Sequence, residues 1–357
     1  MAAAEAMPKS TWRIIDANLN RIGEGLRLLE DLARLQLNDA SLTEKLKTMR
    51  HDLIRGDQSF NQQLLEARDA EADVGVDIEV AGEGVRGLPT MIVANSRRVQ
   101  QSLRVIEEIA KMAGGKFDGE KFKQARFALY TLEQVLLSRL LRRDKARRIS
   151  GLYAIIDSQA LKGRRHLEVA SQIISGGAKV VQLRDKLLNR KELLALARQL
   201  RKLCAEQNVL FIVNDYLDIA LACDADGLHL GQDDLPVKVA RQLLPIDKMV
   251  GVSARSVRRA RTAEEEGADY IAVGSIYPTT SKETAKVVGL ERLRQVRQAT
   301  SLPLVAIGGI NEDNAADVIA AGANSVAMIS ALLEAESPQE AARKITARFE
   351  VSDEKAD

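Results

Sequence analysis

Aromatic residues make up only 3% of this 357-residue chain, so its core must be mostly aliphatic. Cysteine is nearly absent. Cys204 and Cys223 cannot build a disulfide framework, and neither sits in a C-x-x-C pair, which excludes zinc ribbons and thioredoxin-type sites. With only His51, His166 and His229, a multi-histidine metal site is excluded as well. No segment reaches the ~18 consecutive apolar residues of a membrane span. The opening MAAAEAMPKS lacks the apolar run of a secretory signal. An excess of one charge is also missing, because 52 Lys plus Arg face 50 Asp plus Glu. That balance argues against a dedicated nucleic-acid or membrane binder but leaves room for a small anion held by a few local bases. These absences predict a protein of the reducing cytoplasm with small-molecule partners, neither nucleic acid nor membrane, and are compatible with a homo-oligomer.

What is present is an ordinary globular mixture, 46% hydrophobic and 29% charged. The length exceeds the ~250 residues of an α/β barrel, so two domains are expected. Residues 1–148 read as a helical domain and 149–357 as an α/β domain. In the first, Ile14, Ile15, Leu19, Ile22, Leu26, Leu29, Leu32 and Leu35 have the spacing of one helical face over Thr11 to Asn38, with Ser10 as a candidate cap. A second amphipathic stretch covers about Leu42 to Ala67. An acidic, Gly-rich connection with Asp73 and Asp77 follows. Pro89 opens a third helix, and a fourth runs from about Gly119 to Arg142.

This half contains a repeat. Residues 17–34 align with 94–111 at seven identical positions: Ala17/Ala94, Asn18/Asn95, Arg21/Arg98, Leu26/Leu103, Arg27/Arg104, Glu30/Glu107 and Ala33/Ala110. The following helices match as well, Glu44-Lys45-Leu46-Lys47 against Glu120-Lys121-Phe122-Lys123, with Arg50 over Arg126. Two similar helical hairpins in a pseudo-twofold bundle are the simplest architecture. Core packing does not explain the repeated Asn, Arg and Glu. They form either a polar network, with Arg27 and Glu30 paired three residues apart, or a symmetric anion site of Arg21, Arg98, Arg27 and Arg104. The basic run Arg139, Arg142, Arg143, Lys145, Arg147 and Arg148 reads as a solvated helix end and linker.

After Gly151 the pattern changes. Short aliphatic runs at Leu152–Ile156, Val180–Leu183, Leu210–Val213, Gly227–Leu230, Met249–Val252, Tyr270–Val273, Leu304–Ile307 and Ser325–Ile329 alternate with helical stretches such as Arg190–Gln207, Val257–Glu266, Asn311–Ala321 and Pro338–Arg348. Near-continuous apolar strands between helices indicate a parallel sheet covered on both faces. Eight such units imply an α/β fold of the (β/α)8 TIM-barrel type, preceded by the all-α bundle; a doubly wound sheet is the alternative.

The residue after each strand then forms one rim, and nearly every strand ends in polar residues or glycine. Gly308-Gly309 after strand seven and Ser330 after strand eight suit a phosphate held by backbone N–H groups. Thr279, Thr280 and Ser281 add hydroxyls beside Lys282. Asp215 and Asp234 follow neighbouring strands and suit Mg²⁺ shared with substrate phosphates, unless they are simply helix caps. Arg184, Lys186 and Lys282 supply positive charge fitting a pyrophosphate. His229 is either a packed core residue or a substrate contact. The rim therefore offers two anion positions, as needed when two phosphorylated substrates join with loss of pyrophosphate.

Taken together, QLRDK at 182–186, ND at 214–215, GLHLGQDD at 227–234, GVSAR at 251–255, GSIYPTTSK at 274–282, AIGGI at 306–310 and MIS at 328–330 resemble the thiamine-phosphate synthases over about residues 150–350. The resemblance implies a Mg²⁺-dependent transferase joining hydroxymethylpyrimidine diphosphate to a thiazole monophosphate. It implies that Gln182, Arg184, Lys186, Asn214, Ser253 and Lys282 hold the diphosphate substrate, with Lys186, Ser253 and Lys282 serving the leaving group. Asp215 and Asp234 would ligate Mg²⁺. Thr279, Thr280, Ser281, Gly309, Ile329 and Ser330 would hold the thiazole phosphate. The family commonly has Thr-x-Thr-Lys where this chain has Thr279-Thr280-Ser281-Lys282, and serine keeps the hydroxyl. A thiazole tautomerase paralogue would need the phosphate pocket but not the two acids. An aldolase or isomerase barrel would need a Schiff-base lysine or an acid/base pair, and none is evident. The helical domain resembles fusions suspected of hydroxymethylpyrimidine-phosphate kinase activity; it lacks a G-x-x-x-x-G-K-[ST] loop, and an assembly or regulatory module is the alternative.

Overall fold

The computed structural model describes residues 7–55, 58–68, 87–112, 118–279 and 286–353. The chain divides into two compact units, 1–141 and 142–357.

The first unit is helical: Lys9–Asp31 (α1), a π-helical turn at Leu32–Gln36, Ala40–Ile54 (α2), Gln58–Ala67 (α3), Leu88–Met112 (α4) and the start of Gly119–Arg147 (α5). Pro8 is the N-cap of α1, so Ser10 lies inside the helix and caps nothing. A proline suits a helix start because its missing N–H would have no partner there. The stretch expected over Leu42 to Ala67 is two helices. Arg55 leaves α2 with extended backbone, φ −71° and ψ 98°. Asp39 caps α2 by accepting from Leu42 N at 3.0 Å.

Ile15, Ile22, Leu26 and Leu29 of α1 are fully buried, as are Ile92, Val99, Leu103 and Ile106 of α4. Ile14 and Leu35, placed on the same apolar face by spacing, are 48% and 68% exposed. The buried stripe is therefore narrower than the sequence pattern. Gly25 sits where α1 meets α4, and a Cβ there would overlap Val99.

The repeated polar residues resolve into duplicated structural networks. Asn18 and Asn95 each donate back to a carbonyl four residues earlier, Ile14 O at 2.8 Å and Met91 O at 2.9 Å. Glu30, buried, receives Arg27 at 3.4 Å and Arg50 Nε at 3.0 Å. Glu107, equally buried, receives Arg104 at 2.8 Å and Arg126 Nη2 at 3.0 Å. Arg27 and Arg104 are thus engaged by glutamates, which favours the network over the four-arginine anion site. Burial alone would raise the Glu107 carboxyl, but the hydrogen bond from Arg126 and the charges of Arg104, Arg126 and Lys111 outweigh it and hold it below 4.5. A depressed carboxylate stabilises the fold above its unfolded pKa and loses that contribution as pH falls through the folded one. Glu107→Gln is therefore expected to destabilise this unit at neutral pH, with the gap to wild type closing below pH 4.5. The chain's only tryptophan, Trp12, lies in α1 with its ring 5.5 Å from Phe60, so its fluorescence in a urea titration of the full chain reports this unit. A gap that stays constant down to acid pH would remove Glu107 from the network.

The second unit is a closed barrel of eight parallel strands in sequential order. They are Gly151–Asp157 (β1), Val180–Arg184 (β2), Leu210–Asn214 (β3), Gly227–Leu230 (β4), Met249–Ser253 (β5), Tyr270–Gly274 (β6), Leu304–Ile307 (β7) and Ser325–Met328 (β8). Side chains alternate as strand geometry requires. Tyr153, Ile155, Val180, Leu210, Ile212, Met249, Tyr270 and Val305 fill the interior. Leu152, Ala154, Val181, Phe211, Val250 and Ile271 pack outward under the helices. Gly251 makes room for the Tyr270 ring, which a Cβ would overlap.

The basic run near residue 142 is only partly solvated: Arg147 is exposed, but Arg142 and Lys145 are engaged by the barrel unit. Arg142 is 5% exposed, donating to Asp269 Oδ1 at 2.7 Å and Ile246 O at 2.8 Å. Lys145 binds Asp247 O at 3.0 Å. Asp269 also accepts from Val250 N at 2.8 Å and from Arg241. These pairs lie just before strands β5 and β6, at the end of the barrel opposite the rim. Among the described residues, no helix is long and apolar enough to cross a membrane.

Candidate active site

The same alternation that fills the barrel builds the site. On β2, Val180 and Gln182 face inward, so Arg184 does too. On β3, Leu210 and Ile212 are followed by Asn214; on β5, Met249 and Gly251 by Ser253. In register, Asp157 faces Arg184 and Asn214 faces His229. In these strands the polar residue is the last inward position, and Arg184, Asn214, His229 and Ser253 open together on a cavity of about 350 Å³.

One wall of that cavity is charged. Arg184 forms an ion pair with the buried Asp157, a partner that sequence reading missed. Asp185 does not face the cavity. It is 4% exposed, and its Oδ1 accepts from Leu187 N and Leu188 N, both at 2.8 Å. This fastens the loop that carries Lys186. Asp215 and Asp234 meet at the cavity wall. Neither is a helix cap: the helices that follow begin after Tyr216 and Pro236. Asp215 adopts left-handed backbone, φ 61°, with its N–H donating to His229 O at 2.9 Å, a conformation uncommon for residues other than glycine and enriched at functional sites. Asp234 Oδ2 accepts from Gly231 N at 2.6 Å. Burial, a hydrogen bond with Asp234 and the Asp234 charge push the Asp215 carboxyl up to about 6, against the pull of Lys186 and Arg184. Two carboxylates that resist joint ionisation, with oxygen donors only, fit a hard divalent cation completed by substrate and water. Among the described residues no cluster of three or more His, Cys, Asp or Glu could hold a metal by itself.

His229 is both buried and at the rim. It is 8% exposed, with Nδ1 3.1 Å from Tyr270 Oη and Nε2 3.0 Å from Ser253 Oγ. Burial lowers its pKa to about 4, only partly offset by Asp234, so the ring is neutral at pH 7. The two readings of this histidine therefore combine: it is packed in the interior, and its edge reaches the cavity through Ser253.

The opposite wall is a glycine turn. Gly308 and Gly309 have φ of +100° and +66°. A Cβ on Gly308 would overlap Ser275, and one on Gly309 would overlap Pro278 O. The β6 loop is strapped onto this turn by Tyr277 N donating to Gly308 O at 2.9 Å. Thr279, Ile329 and Ser330 line the same wall. The helix expected from Asn311 starts at Ala315, because Asn311 Oδ1 instead closes a turn onto Asp313 N at 3.0 Å.

Gln182, Arg184, Lys186, Asn214, Asp215, Asp234, Ser253, Thr279, Gly309, Ile329 and Ser330 thus line one cavity. Thr280, Ser281 and Lys282 lie outside the described residues, as do Asp73 and Asp77 of the helical unit. Sequence reading missed Tyr153 and Tyr270, which also line the cavity. Their signal was their place: inward positions of strands in a chain with only five tyrosines.

Comparison with known proteins agrees with the geometry. The family model for thiamine monophosphate synthase matches residues 152–332, and that of the ThiD2 family matches 13–135. A thiamine-phosphate synthase of Synechocystis is 39% identical over 343 residues, covering 96% of this chain and 97% of the relative. One from Thermosynechococcus vestitus is 38% identical over 342 residues, covering 94% of each. Among solved structures, a thiamine phosphate pyrophosphorylase from Pyrococcus furiosus superposes with a TM-score of 0.54 at 38% identity, covering 57% of this chain and 98% of its own. With a barrel model spanning half its length and relatives aligned nearly end to end, this chain belongs to the thiamine-phosphate synthase family.

Proposed function

We propose that the barrel performs the synthase reaction as a dissociative alkyl transfer within the single cavity. The observation that carries this reading is the meeting of Arg184, Asn214, Ser253 and the Asp215–Asp234 pair on one wall with the Gly308–Gly309 turn and Ser330 on the other. Gln182 holds the pyrimidine, while Arg184, Lys186, Asn214, Ser253 and Lys282 bind its diphosphate. Asp215 and Asp234 would hold Mg²⁺, which when bound neutralises charge developing on the diphosphate. The carbon–oxygen bond to pyrophosphate breaks, with Lys186, Lys282 and the Ser253 hydroxyl stabilising the departing anion. The pyrimidine-methyl cation left behind is stabilised by the ring amino group. The thiazole nitrogen then attacks the methylene carbon. Its approach is set by the thiazole phosphate, anchored at Gly309, Ile329, Ser330 and the hydroxyls of Thr279, Thr280 and Ser281. No general base is required, and both nitrogens of His229 are already engaged by Tyr270 and Ser253.

The test is a coupling assay with hydroxymethylpyrimidine diphosphate, thiazole phosphate and Mg²⁺. Thiamine monophosphate and pyrophosphate are expected in equal amounts. Isomerisation of the thiazole without pyrophosphate release would instead favour the tautomerase paralogue.

For the helical unit we propose hydroxymethylpyrimidine-phosphate kinase activity, which would supply the barrel's diphosphate substrate. The support is its match to a second family over 13–135, in a chain whose relatives align across both units. The test uses the full chain with the barrel disabled by Asp234→Asn, given ATP, Mg²⁺ and the pyrimidine monophosphate. Accumulating diphosphate supports the kinase; none supports an assembly or regulatory module.

A further inference from the structure

Five polar side chains form a line through the otherwise aliphatic barrel interior and end at the cavity. Gln182 Nε2 donates to Tyr153 Oη at 2.7 Å, and the two tyrosine hydroxyls are 3.0 Å apart. Tyr270 Oη lies 3.1 Å from His229 Nδ1, and His229 Nε2 lies 3.0 Å from Ser253 Oγ. Gln182, Tyr153, Tyr270 and His229 are all buried.

Each hydroxyl has one proton to give, and a neutral imidazole has one N–H. The Gln182 amide donates to the Tyr153 oxygen, so the Tyr153 proton goes to Tyr270. The Tyr270 proton then goes to Nδ1 of His229. That leaves the imidazole proton on Nε2, donated to Ser253 Oγ. With its oxygen receiving this bond from inside, Ser253 has its own proton free for the cavity. Running the line in the opposite direction from the same amide would leave the buried Tyr153 proton without an acceptor, a costly state. A charged imidazole would also donate through Nε2, so Ser253 is an acceptor on its inner side in either state.

We propose that Tyr153, Tyr270 and His229 are positioning residues whose one-way hydrogen-bond line presents the Ser253 hydroxyl as a donor to the diphosphate of the pyrimidine substrate. The inference rests on the reading of Ser253 as a diphosphate contact. An unguided serine hydroxyl spends part of its time pointing inward, whereas a donor fixed toward the anion needs no reorganisation when the diphosphate binds or leaves.

A kinetic double-mutant cycle tests this, since only residues acting through one another are non-additive. Tyr270→Phe keeps the ring and breaks the line. It is expected to raise KM for the diphosphate about fivefold to tenfold, the effect of one hydrogen bond, and to leave KM for the thiazole phosphate unchanged. In a Ser253→Ala background the same change should shift KM less than about twofold. Tyr153→Phe, one link further from Ser253 than Tyr270, removes the donor that fixes the direction of the Tyr270 hydroxyl; it should show the same pattern with a smaller shift and serves if Tyr270→Phe fails to fold. An undiminished effect in the Ser253→Ala background would show a merely structural role and overturn the proposal. Wild-type kinetics for Ser253→Ala would instead overturn the underlying Ser253 assignment, a distinct outcome. Direction is read separately from ¹⁵N-histidine NMR of the full-length protein, which has three histidines. With His229 assigned by its loss in His229→Asn, Nδ1 should resonate as unprotonated and Nε2 as protonated. The reverse tautomer would overturn the polarity.

Discussion

Asp234→Asn is expected to lower Mg²⁺-dependent synthase turnover by at least about 10³-fold, corresponding to the several kcal/mol a metal contributes to a departing anion. Asparagine is the informative choice. Its side-chain oxygen can still accept the Gly231 N–H that Asp234 Oδ2 holds at 2.6 Å, so the loop keeps its bond while the site loses one charge. Alanine would remove both. The substitution should also relieve Asp215, because the Asp234 hydrogen bond and charge are what, after burial, push that carboxyl toward 6. A pH dependence follows. At the proposed site Mg²⁺ would bind the ionised carboxylates, so the half-activating Mg²⁺ concentration of the wild type should rise as pH falls through about 6, where Asp215 takes up a proton. A Mg²⁺ titration of initial rate at several pH values checks both. Wild-type turnover with an unchanged Mg²⁺ response in Asp234→Asn would remove Asp234 from the metal site.

Gly309→Val should act on the other substrate. At φ +66° a β-branched residue is strained, and its Cβ would overlap Pro278 O and crowd Tyr277. The turn can accommodate it only by moving off the β6 loop, which would displace the N–H groups proposed to hold the thiazole phosphate. KM for the thiazole phosphate is expected to rise about 10²-fold, the scale for losing a preorganised anion donor, with KM for the pyrimidine diphosphate nearly unchanged. Steady-state kinetics with each substrate varied in turn separate the two. Equal losses for both substrates would mean that the whole rim had collapsed and that the turn is not specific to one phosphate.

Much of the barrel was legible because strand periodicity is local. Runs such as Val180–Leu183 and Leu210–Val213 needed no tertiary information, and the observed strands extend them by one residue, to Arg184 and Asn214. Those added residues line the cavity, since the next inward position after the core is the first to reach it. Local reading failed where a long-range partner decides. Arg142 and Lys145 looked solvated because Asp269 and Asp247, which hold them, lie more than a hundred positions away in sequence. Ile14 and Leu35 fit the helical spacing, yet both stay exposed.

Composition and pattern by themselves determined the helical first half with its duplication, the eight-stranded second half, and the residue types at the rim. The physical reason is that side-chain period and turn chemistry depend on residues a few positions apart. Only the tertiary structure decided what those residues do to one another. It spent Arg27 and Arg104 on the buried Glu30 and Glu107, paired Arg184 with Asp157, and turned Asp185 away from the cavity into its own loop. It brought Asp215 and Asp234 close enough to share a proton, and joined Tyr153, Tyr270 and His229 into one line behind Ser253. Charge coupling and hydrogen-bond direction depend on distances of about 3 Å between residues from different strands, and strand register in a closed barrel sets those distances. The scarcity of aromatic residues takes on a specific meaning here, because two of the five tyrosines occupy the barrel interior beside the site.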